Sequence, residues 1–294
     1  METGLEKLIA RAEVLLDRLE AWLPPPPPAV LWDAAIAWRW RRQGSKGWLQ
    51  PVTKPHAIRL EDLRDIDDQK RRVTENTRQF VAGQPANNVL LTGARGTGKS
   101  SLIKAMLTEF SSQGLRVIEI EKDHLVDLPE VMESIAQRPE RFILFCDDLS
   151  FEAGEAHYKA LKTVLDGSLA APSEHVLVYA TSNRRHLMPE FFSENQETSH
   201  RDGEIHPGES VEEKISLSDR FGLWVSFYPF DQEAYLEIAR HWVGLLGGQV
   251  PDPERFRLEA VQWALLRGSR SGRSAWHFAR DWVGRKGLPA SSSS

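Results

Sequence analysis

The run Gly93-Ala94-Arg95-Gly96-Thr97-Gly98-Lys99-Ser100 matches the pattern Gly-x-x-x-x-Gly-Lys-Ser/Thr. Residues 88–92, with the apolar run Val89-Leu90-Leu91 at their centre, directly precede it and predict a short buried strand. Apolar residues at helical spacing follow it and predict a helix. Glycines allow the backbone N–H groups to surround a phosphate, and the helix directs its positive end toward the same anion. This stretch therefore predicts a phosphate-binding loop between a strand and a helix.

Two residues at the end of this loop are candidates for specific roles. Lys99 is expected to reach the β- and γ-phosphates as a point charge. The Ser100 hydroxyl is expected to bind Mg²⁺. The predicted phosphate-binding residues are Gly93, Ala94, Arg95, Gly96, Thr97, Gly98, Lys99, Ser100 and Ser101.

Four further apolar runs, at 116–120, 142–146, 176–180 and 223–227, alternate with helical stretches, beginning with a helix near 61–82. This alternation is typical of a parallel sheet with helices on both faces. We therefore predict an α/β domain over 58–229 with a parallel five-stranded sheet.

Strand patterns stop after Pro229, and three helices are predicted in the remainder of the chain. Asp231 is a candidate N-cap for a helix through residue 246, and helices near 254–267 and from Gly272 follow. Residues 230–287 are therefore predicted to form a small helical lid domain.

Carboxylates follow the apolar run 142–146. Asp147 is the candidate ligand of Mg²⁺, and Asp148 is the candidate group that polarises an attacking water. Glu152 is a second candidate for the latter role. An acidic pair at a strand end is also compatible with a simple helix cap or turn.

The strand predicted at 176–180 is followed by polar residues that include Asn183. At the end of a strand next to the phosphate loop, its amide can orient a water molecule. Because Arg184 and Arg185 follow, an ordinary turn is the alternative interpretation.

Together these motifs resemble those of the AAA+ ATPases over roughly residues 58–285. The loop 93–100 is similar to Walker A, 142–148 to Walker B, Asn183 to sensor 1 and 60–67 to the segment that borders adenine. The resemblance also implies that Arg220 is an arginine finger and that Arg273 is the sensor 2 residue, although each is compatible with an ordinary surface arginine. The chain looks closest to a bacterial family of predicted AAA+ ATPases whose cellular role is undefined.

The resemblance implies a function. Mg-ATP is expected between the sheet domain and the lid, and Arg220 of a neighbouring subunit is expected to complete the site in a homo-oligomer. Hydrolysis would then drive a conformational change on an unknown protein partner. Asp148 is one methylene shorter than the glutamate usual at this position, so the alternative is an ATP-dependent binding or regulatory module with little hydrolysis.

Two loops indicate what kind of partner the protein could act on. The loop 123–129 has no aromatic residue, although AAA+ proteins that thread peptides usually carry one there. Peptide translocation is therefore not supported. The polar segment 193–214 is predicted to be a mobile insertion that is either solvated or used to dock a partner.

The chain termini are predicted separately from the sheet domain. Residues 1–23 predict an amphipathic helix that either packs on its own domain or associates with a partner, and five prolines at 24–28 predict a stiff spacer. Tryptophans and arginines at 32–48 favour a packing element over a nucleic-acid site. Residues 288–294 predict a disordered tail.

Composition limits the class of protein. Hydrophobic residues make up 41% and charged residues 27%, and the formal net charge is -5, which argues against general coating of nucleic acid. The single cysteine, Cys146, excludes an intramolecular disulfide framework and a zinc site with several cysteines. Charged residues interrupt every apolar stretch near the N-terminus, so neither a signal peptide nor a membrane span is predicted. We expect a soluble, cytoplasmic protein.

Overall fold

The computed structural model describes residues 30, 32–44, 46–150, 156–166, 174–183, 200–201, 204–205 and 218–286, together with 4, 8–9 and 11–15. Glu152, most of the segment 193–214, the prolines 24–28 and the predicted tail 288–294 lie outside the described residues.

A seven-stranded sheet, in the order β2-β1-β4-β5-β6-β3-β9, forms the centre of the fold. Its strands are β1 (Ala37–Gln43), β2 (Lys46–Pro51), β3 (Val89–Gly93), β4 (Leu115–Glu119), β5 (Arg141–Cys146), β6 (Val176–Ser182) and β9 (Leu223–Phe227). All pairs are parallel except β1 with β2. The short strands β7 (His200–Arg201) and β8 (Glu204–Ile205) form a separate antiparallel pair.

The predicted five-stranded sheet is therefore too small by two strands, because a hairpin of β1 and β2 extends it beyond the boundary expected at residue 58. Trp38 and Trp40 alternate with Arg39 and Arg41 along β1. The two tryptophans are 1% and 2% exposed, and the alternation places the arginines on the opposite face. The composition of this segment indicates a packing element. Its tryptophans and arginines also alternate with a period of two residues, which predicts a strand, and the sequence analysis missed this signal.

Helices cover both faces of the sheet and form the C-terminal lid. The helices are α1 (Asp67–Val81), α2 (Lys99–Phe110), α3 (Leu128–Ile135), α4 (Ala156–Asp166), α5 (Gln232–Leu245), α6 (Pro253–Leu266) and α7 (Gly272–Lys286). The helix expected over 61–82 is interrupted, because Leu60–Asp62 is a short 3-10 helix and Asp65 has a positive φ of 60°. The expected N-cap of α5 is confirmed, since Asp231 accepts a hydrogen bond of 2.9 Å from the Ala234 N–H.

Two apolar clusters lie on the two faces of the sheet and explain why its central strands have no polar face. One joins α1, α2 and the lid, and the other joins the hairpin, α3 and α4. Strands β5 and β6 are buried along almost their whole length. Burial also raises the pKa of Cys146, at the end of β5, to about 12, so this thiol is not a nucleophile.

The predicted N-terminal helix is partly described. Residues 11–15 are helical, and the side chains of Leu8, Ile9, Val14 and Leu15 are 69%, 50%, 52% and 55% exposed. These four side chains are therefore exposed in the described part of the chain.

Gly93, where β3 enters the phosphate loop, is expected to be essential for folding. Its φ is 126°, and an added Cβ would lie 1.9 Å from the Phe227 carbonyl oxygen of β9. Gly93→Ala should therefore lower the free energy of unfolding by about 3 kcal/mol or more. Gly114→Ala is the matched control, because Gly114 has a φ of 92° with nothing within 4 Å of an added Cβ. Urea denaturation should show a much smaller loss for Gly114→Ala, and equal losses would contradict the steric explanation.

Candidate nucleotide-binding site

The phosphate loop has the conformation that its glycines predict. Gly96 and Gly98 adopt positive φ values of 73° and 100°, which L side chains rarely adopt. The Thr97 hydroxyl donates a hydrogen bond of 2.8 Å to the Ala94 carbonyl and closes the loop on itself. Helix α2 begins at Lys99, so its unpaired N–H groups point into the loop.

The Lys99 ammonium is held at the centre of the loop. Its Nζ donates to the carbonyls of Gly93 and Ala94 at 2.8 and 2.7 Å and to Asn183 Oδ1 at 3.0 Å. Burial lowers its pKa to about 8, while Asp147 and Asp148 act in the opposite direction. A phosphate arriving here would favour the charged form of the ammonium and bind to it.

Oxygen atoms suited to Mg²⁺ meet beside this ammonium. The hydroxyls of Ser100 and Thr181 each donate a hydrogen bond of 2.6 Å to the same oxygen, Asp147 Oδ1. No group of three or more histidines, cysteines and carboxylates in the described part of the chain could hold a metal. Mg²⁺ commonly binds through one or two carboxylates plus substrate phosphates and waters, so Ser100 and Asp147 fit such an ion.

Asp148 lies next to the candidate metal ligands Ser100 and Asp147 and is linked to the phosphate loop. Its N–H donates a hydrogen bond of 2.9 Å to Thr181 Oγ1, and its φ is 53°. Asn183 Nδ2 donates to its carboxylate, and Arg95 Nη2 lies 3.9 Å from the other carboxylate oxygen. Asn183 thus bridges Lys99 and Asp148, which is the position from which an amide can orient a water.

The lid contacts the phosphate loop directly. The Gly272 N–H, at the start of α7, donates a hydrogen bond of 2.8 Å to the Gly96 carbonyl. An added Cβ at Gly96 would lie 2.8 Å from Ser271 Cβ. The loop and the lid are therefore too close at this point for residue 96 to carry a side chain. Arg273, in the first turn of α7, is exposed and lines the same cleft.

Apolar residues also line the cleft, among them two tryptophans of the lid. Trp242 of α5 and Trp276 of α7 are half-buried, with ring centroids 4.8 Å apart at 73°. Asp62 Oδ1 lies 3.2 Å from His241 Nε2, which ties the segment predicted to border adenine to the lid. The volume of the whole cleft is about 740 Å³.

Most predicted site residues converge on this cleft. Those that line it are Arg95, Gly96, Thr97, Gly98, Lys99, Ser100, Ser101, Asp147, Asp148, Asn183 and Arg273. Gly93 and Ala94 contribute their carbonyls to Lys99. Thr181 was not among the predicted site residues. Its hydroxyl reaches Asp147 because β6 continues two residues past the end predicted at residue 180.

Arg220 is a predicted site residue that does not line the cleft of its own chain. Its guanidinium pairs with Asp166 at the end of α4. A finger supplied by a neighbouring subunit would not line the cleft of its own chain, so the role of Arg220 stays a prediction.

The arginines of the hairpin are occupied by carboxylates. Arg39 and Arg41 pair with Glu119 and Glu121, each at 2.7 Å. Trp38 and Trp40 are buried, so these two rings are not available to stack on bases.

The loop without an aromatic residue is anchored to the same hairpin. It forms the 3-10 helix Lys122–Asp127. Asp127 is 4% exposed, accepts a hydrogen bond of 2.9 Å from Trp40 Nε1 and pairs with Arg42. This segment is therefore fixed against the sheet at its C-terminal end.

The strand order and the cleft define a P-loop fold of the AAA+ type. Solved structures of the RuvB Holliday junction branch migration motor of Thermotoga maritima are similar, at a TM-score of 0.53 and 15% identity. The match covers 78% of this chain and 66% of that chain. A variant of the same motor gives a TM-score of 0.54, again at 15% identity over 78% of this chain and 66% of that one.

The family of the chain is shown more directly. Residues 33–286 match the family described as a protein of unknown function, DUF815, and the chain belongs to this family. No curated protein matches it. Among the described residues, no helix combines the length and the apolar character needed to cross a membrane.

Proposed function

We propose that this protein is an ATPase that binds Mg-ATP in the cleft between the sheet and the lid. The observation that carries this proposal is the arrangement of Ser100 Oγ, 2.6 Å from Asp147 Oδ1, beside the buried Lys99 ammonium. A cation, a pair of oxygen ligands for Mg²⁺ and a helix N-terminus meet at one point, as a nucleoside triphosphate requires.

Each residue of the cleft has a role in the proposed reaction. Mg²⁺, held by Ser100 and Asp147, would neutralise charge on the β- and γ-phosphates. Asn183 would orient a water toward the γ-phosphorus, and Asp148 would accept a proton from that water. The water oxygen would bond to the γ-phosphorus as the bond from this phosphorus to the β–γ bridging oxygen breaks, which gives inorganic phosphate, and ADP leaves with the electron pair.

The site is proposed to be completed by a second copy of the chain. Arg220 would stabilise the transferring phosphoryl group in the neighbour's cleft, so turnover would require a homo-oligomer. Its ion pair with Asp166 orients the guanidinium at the end of α4. This arrangement predicts a heterologous interface, in which the cleft of one copy faces Arg220 of the next.

Hydrolysis would be coupled to movement through the lid. The hydrogen bond from Gly272 to Gly96 joins the lid directly to the loop that contacts the phosphates. The pair formed by His241 and Asp62 joins the lid to the opposite end of the cleft. A change in phosphate occupancy would therefore shift the lid, and we propose that this shift acts on a protein partner. The paired arginines of the hairpin give no support for a junction substrate like that of the branch migration motor.

The second candidate is an ATP-dependent binding module with little hydrolysis. It is favoured by Asp148, whose short carboxylate accepts a hydrogen bond from Asn183 Nδ2 and whose backbone N–H donates to Thr181 Oγ1. The two functions differ in steady-state phosphate release, measured at several protein concentrations. An ATPase should release phosphate faster per chain as concentration rises, and Asp148→Asn should keep ATP affinity within about twofold but lose turnover at least about 100-fold. Wild-type release as slow as that of Asp148→Asn would select the binding module.

A further inference from the structure

Helix α6 of the lid has two apolar faces, and the fold of the chain covers only one of them. Phe256, Ala260 and Ala264 are almost fully buried, and the Phe256 ring packs against Phe278 of α7 with ring centroids 5.3 Å apart. A surface helix of a globular protein usually carries one apolar stripe, with polar residues on the opposite side. Helix α6 departs from this pattern, so its second apolar face is a candidate contact surface.

The second face consists of Leu258, Val261 and Leu265, which we call the outer stripe of α6. Their spacing of three and four residues places them along one line of the helix, roughly 130° around its axis from the buried residues. Leu258 and Leu265 are 58% and 68% exposed, and Val261 is partly exposed. Covering these side chains with another surface would remove apolar area from water and stabilise the contact.

The charges at the two ends of the outer stripe indicate what covers it. Arg255 and Arg257 of α6 are already paired with carboxylates of the same chain, at 2.7 and 2.9 Å. Glu254, at the N-terminal end of α6, and Arg270, just beyond its C-terminal end, are exposed and form no ion pair with the residues that the structure describes. One end of the stripe is therefore acidic and the other is basic. Such a surface is complementary in charge to a copy of itself that runs in the opposite direction.

We propose that the outer stripe packs on the outer stripe of a second copy of the chain, with the two α6 helices antiparallel. The twofold axis passes through the middle of the helix pair, so Leu258 of each copy packs against Leu265 of the other. Glu254 of each copy then lies beside Arg270 of the other. A parallel pair would instead place like charges together at both ends. This contact is isologous, because each copy contributes the same surface.

The proposed contact is small and does not involve the nucleotide. One helix from each copy covers less than the roughly 1,600 Å² of a standard stable interface, so association in the micromolar range is expected. Helix α6 contributes no residue to the lining of the cleft, so the two copies should pair without nucleotide. The contact is also distinct from the heterologous interface proposed for Arg220, since it lies on the lid.

Sedimentation equilibrium of the full chain without nucleotide tests this contact. Wild-type protein should associate reversibly in the micromolar range, and Leu265→Glu should weaken association at least about tenfold. Leu258→Glu, on the same stripe, should have a similar effect. Leu266→Glu is the matched control, because Leu266 is the adjacent leucine, 88% exposed and roughly 100° around the helix from Leu265. A wild type without micromolar association, or equal association of Leu265→Glu and Leu266→Glu, would overturn the proposal.

Engineered cysteines test the antiparallel direction. In the antiparallel pair, residue 258 of one copy faces residue 265 of the other, whereas two copies of the same residue are roughly 10 Å apart along the helix axis. A disulfide requires Cα atoms within about 7 Å of each other. Mild oxidation should therefore crosslink an equimolar mixture of Leu258→Cys and Leu265→Cys, but neither variant alone. The native Cys146 is fully buried and should not react.

Crosslinking of each cysteine variant alone, or its absence from the mixture, would contradict the antiparallel pair. Both experiments are read without nucleotide, so their failure leaves the proposed ATPase function untouched.

Discussion

Lys99→Met should bind ATP roughly 100-fold more weakly than the wild type, because it removes the buried cation in the phosphate loop. The methionine keeps the length and packing of the side chain but cannot donate to the γ-phosphate. The wild-type ammonium is held by the carbonyls of Gly93 and Ala94 and by Asn183, so it is already positioned before the nucleotide arrives.

Isothermal titration with Mg-ATP measures this loss. Lys46→Ala is the control, because it removes an exposed ammonium on the hairpin, outside the cleft. It should bind as the wild type does. ATP affinity in Lys99→Met equal to that of the control would place the nucleotide elsewhere.

Arg220→Ala should reduce turnover by roughly 1,000-fold, which is the lower range for loss of an arginine finger. Its affinity for ATP should stay within about twofold of the wild type, because Arg220 does not line the cleft of its own chain. The expected result is thus a loss of kcat without a loss of binding.

Asp166→Ala separates a catalytic role of Arg220 from a structural one. This variant breaks the same ion pair but keeps the guanidinium. If Arg220 acts on the phosphoryl group, Asp166→Ala should lose far less turnover than Arg220→Ala in the phosphate-release assay. Equal losses would mean that the ion pair only supports the end of α4.

The central strands and the phosphate loop could be predicted from the sequence because their signals are local. The loop contains its own glycines, and fully buried parallel strands appear as continuous apolar runs. Asp147 and Asn183 could be placed because the carboxyl ends of adjacent parallel strands meet at one edge of the sheet.

Other features depend on contacts between distant parts of the chain. The Thr181 hydroxyl matters only because β6 lies beside β5 and extends past it to Asp147. The tie between His241 and Asp62 joins residues 179 positions apart, and no local pattern indicates it. The hairpin was missed for a different reason, since its alternating Trp38, Arg39, Trp40 and Arg41 carry a strand signal that composition alone conceals.

The central claim, hydrolysis at a site shared between two copies, is tested most directly by mixing two inactive variants. Lys99→Met has an impaired nucleotide site but keeps its finger, and Arg220→Ala keeps its nucleotide site but lacks a finger. In mixed oligomers, the intact site of one variant faces the intact finger of the other, so phosphate release should recover to a substantial fraction of the wild-type rate. If the mixture forms mixed oligomers but releases phosphate no faster than either variant alone, the shared site is contradicted.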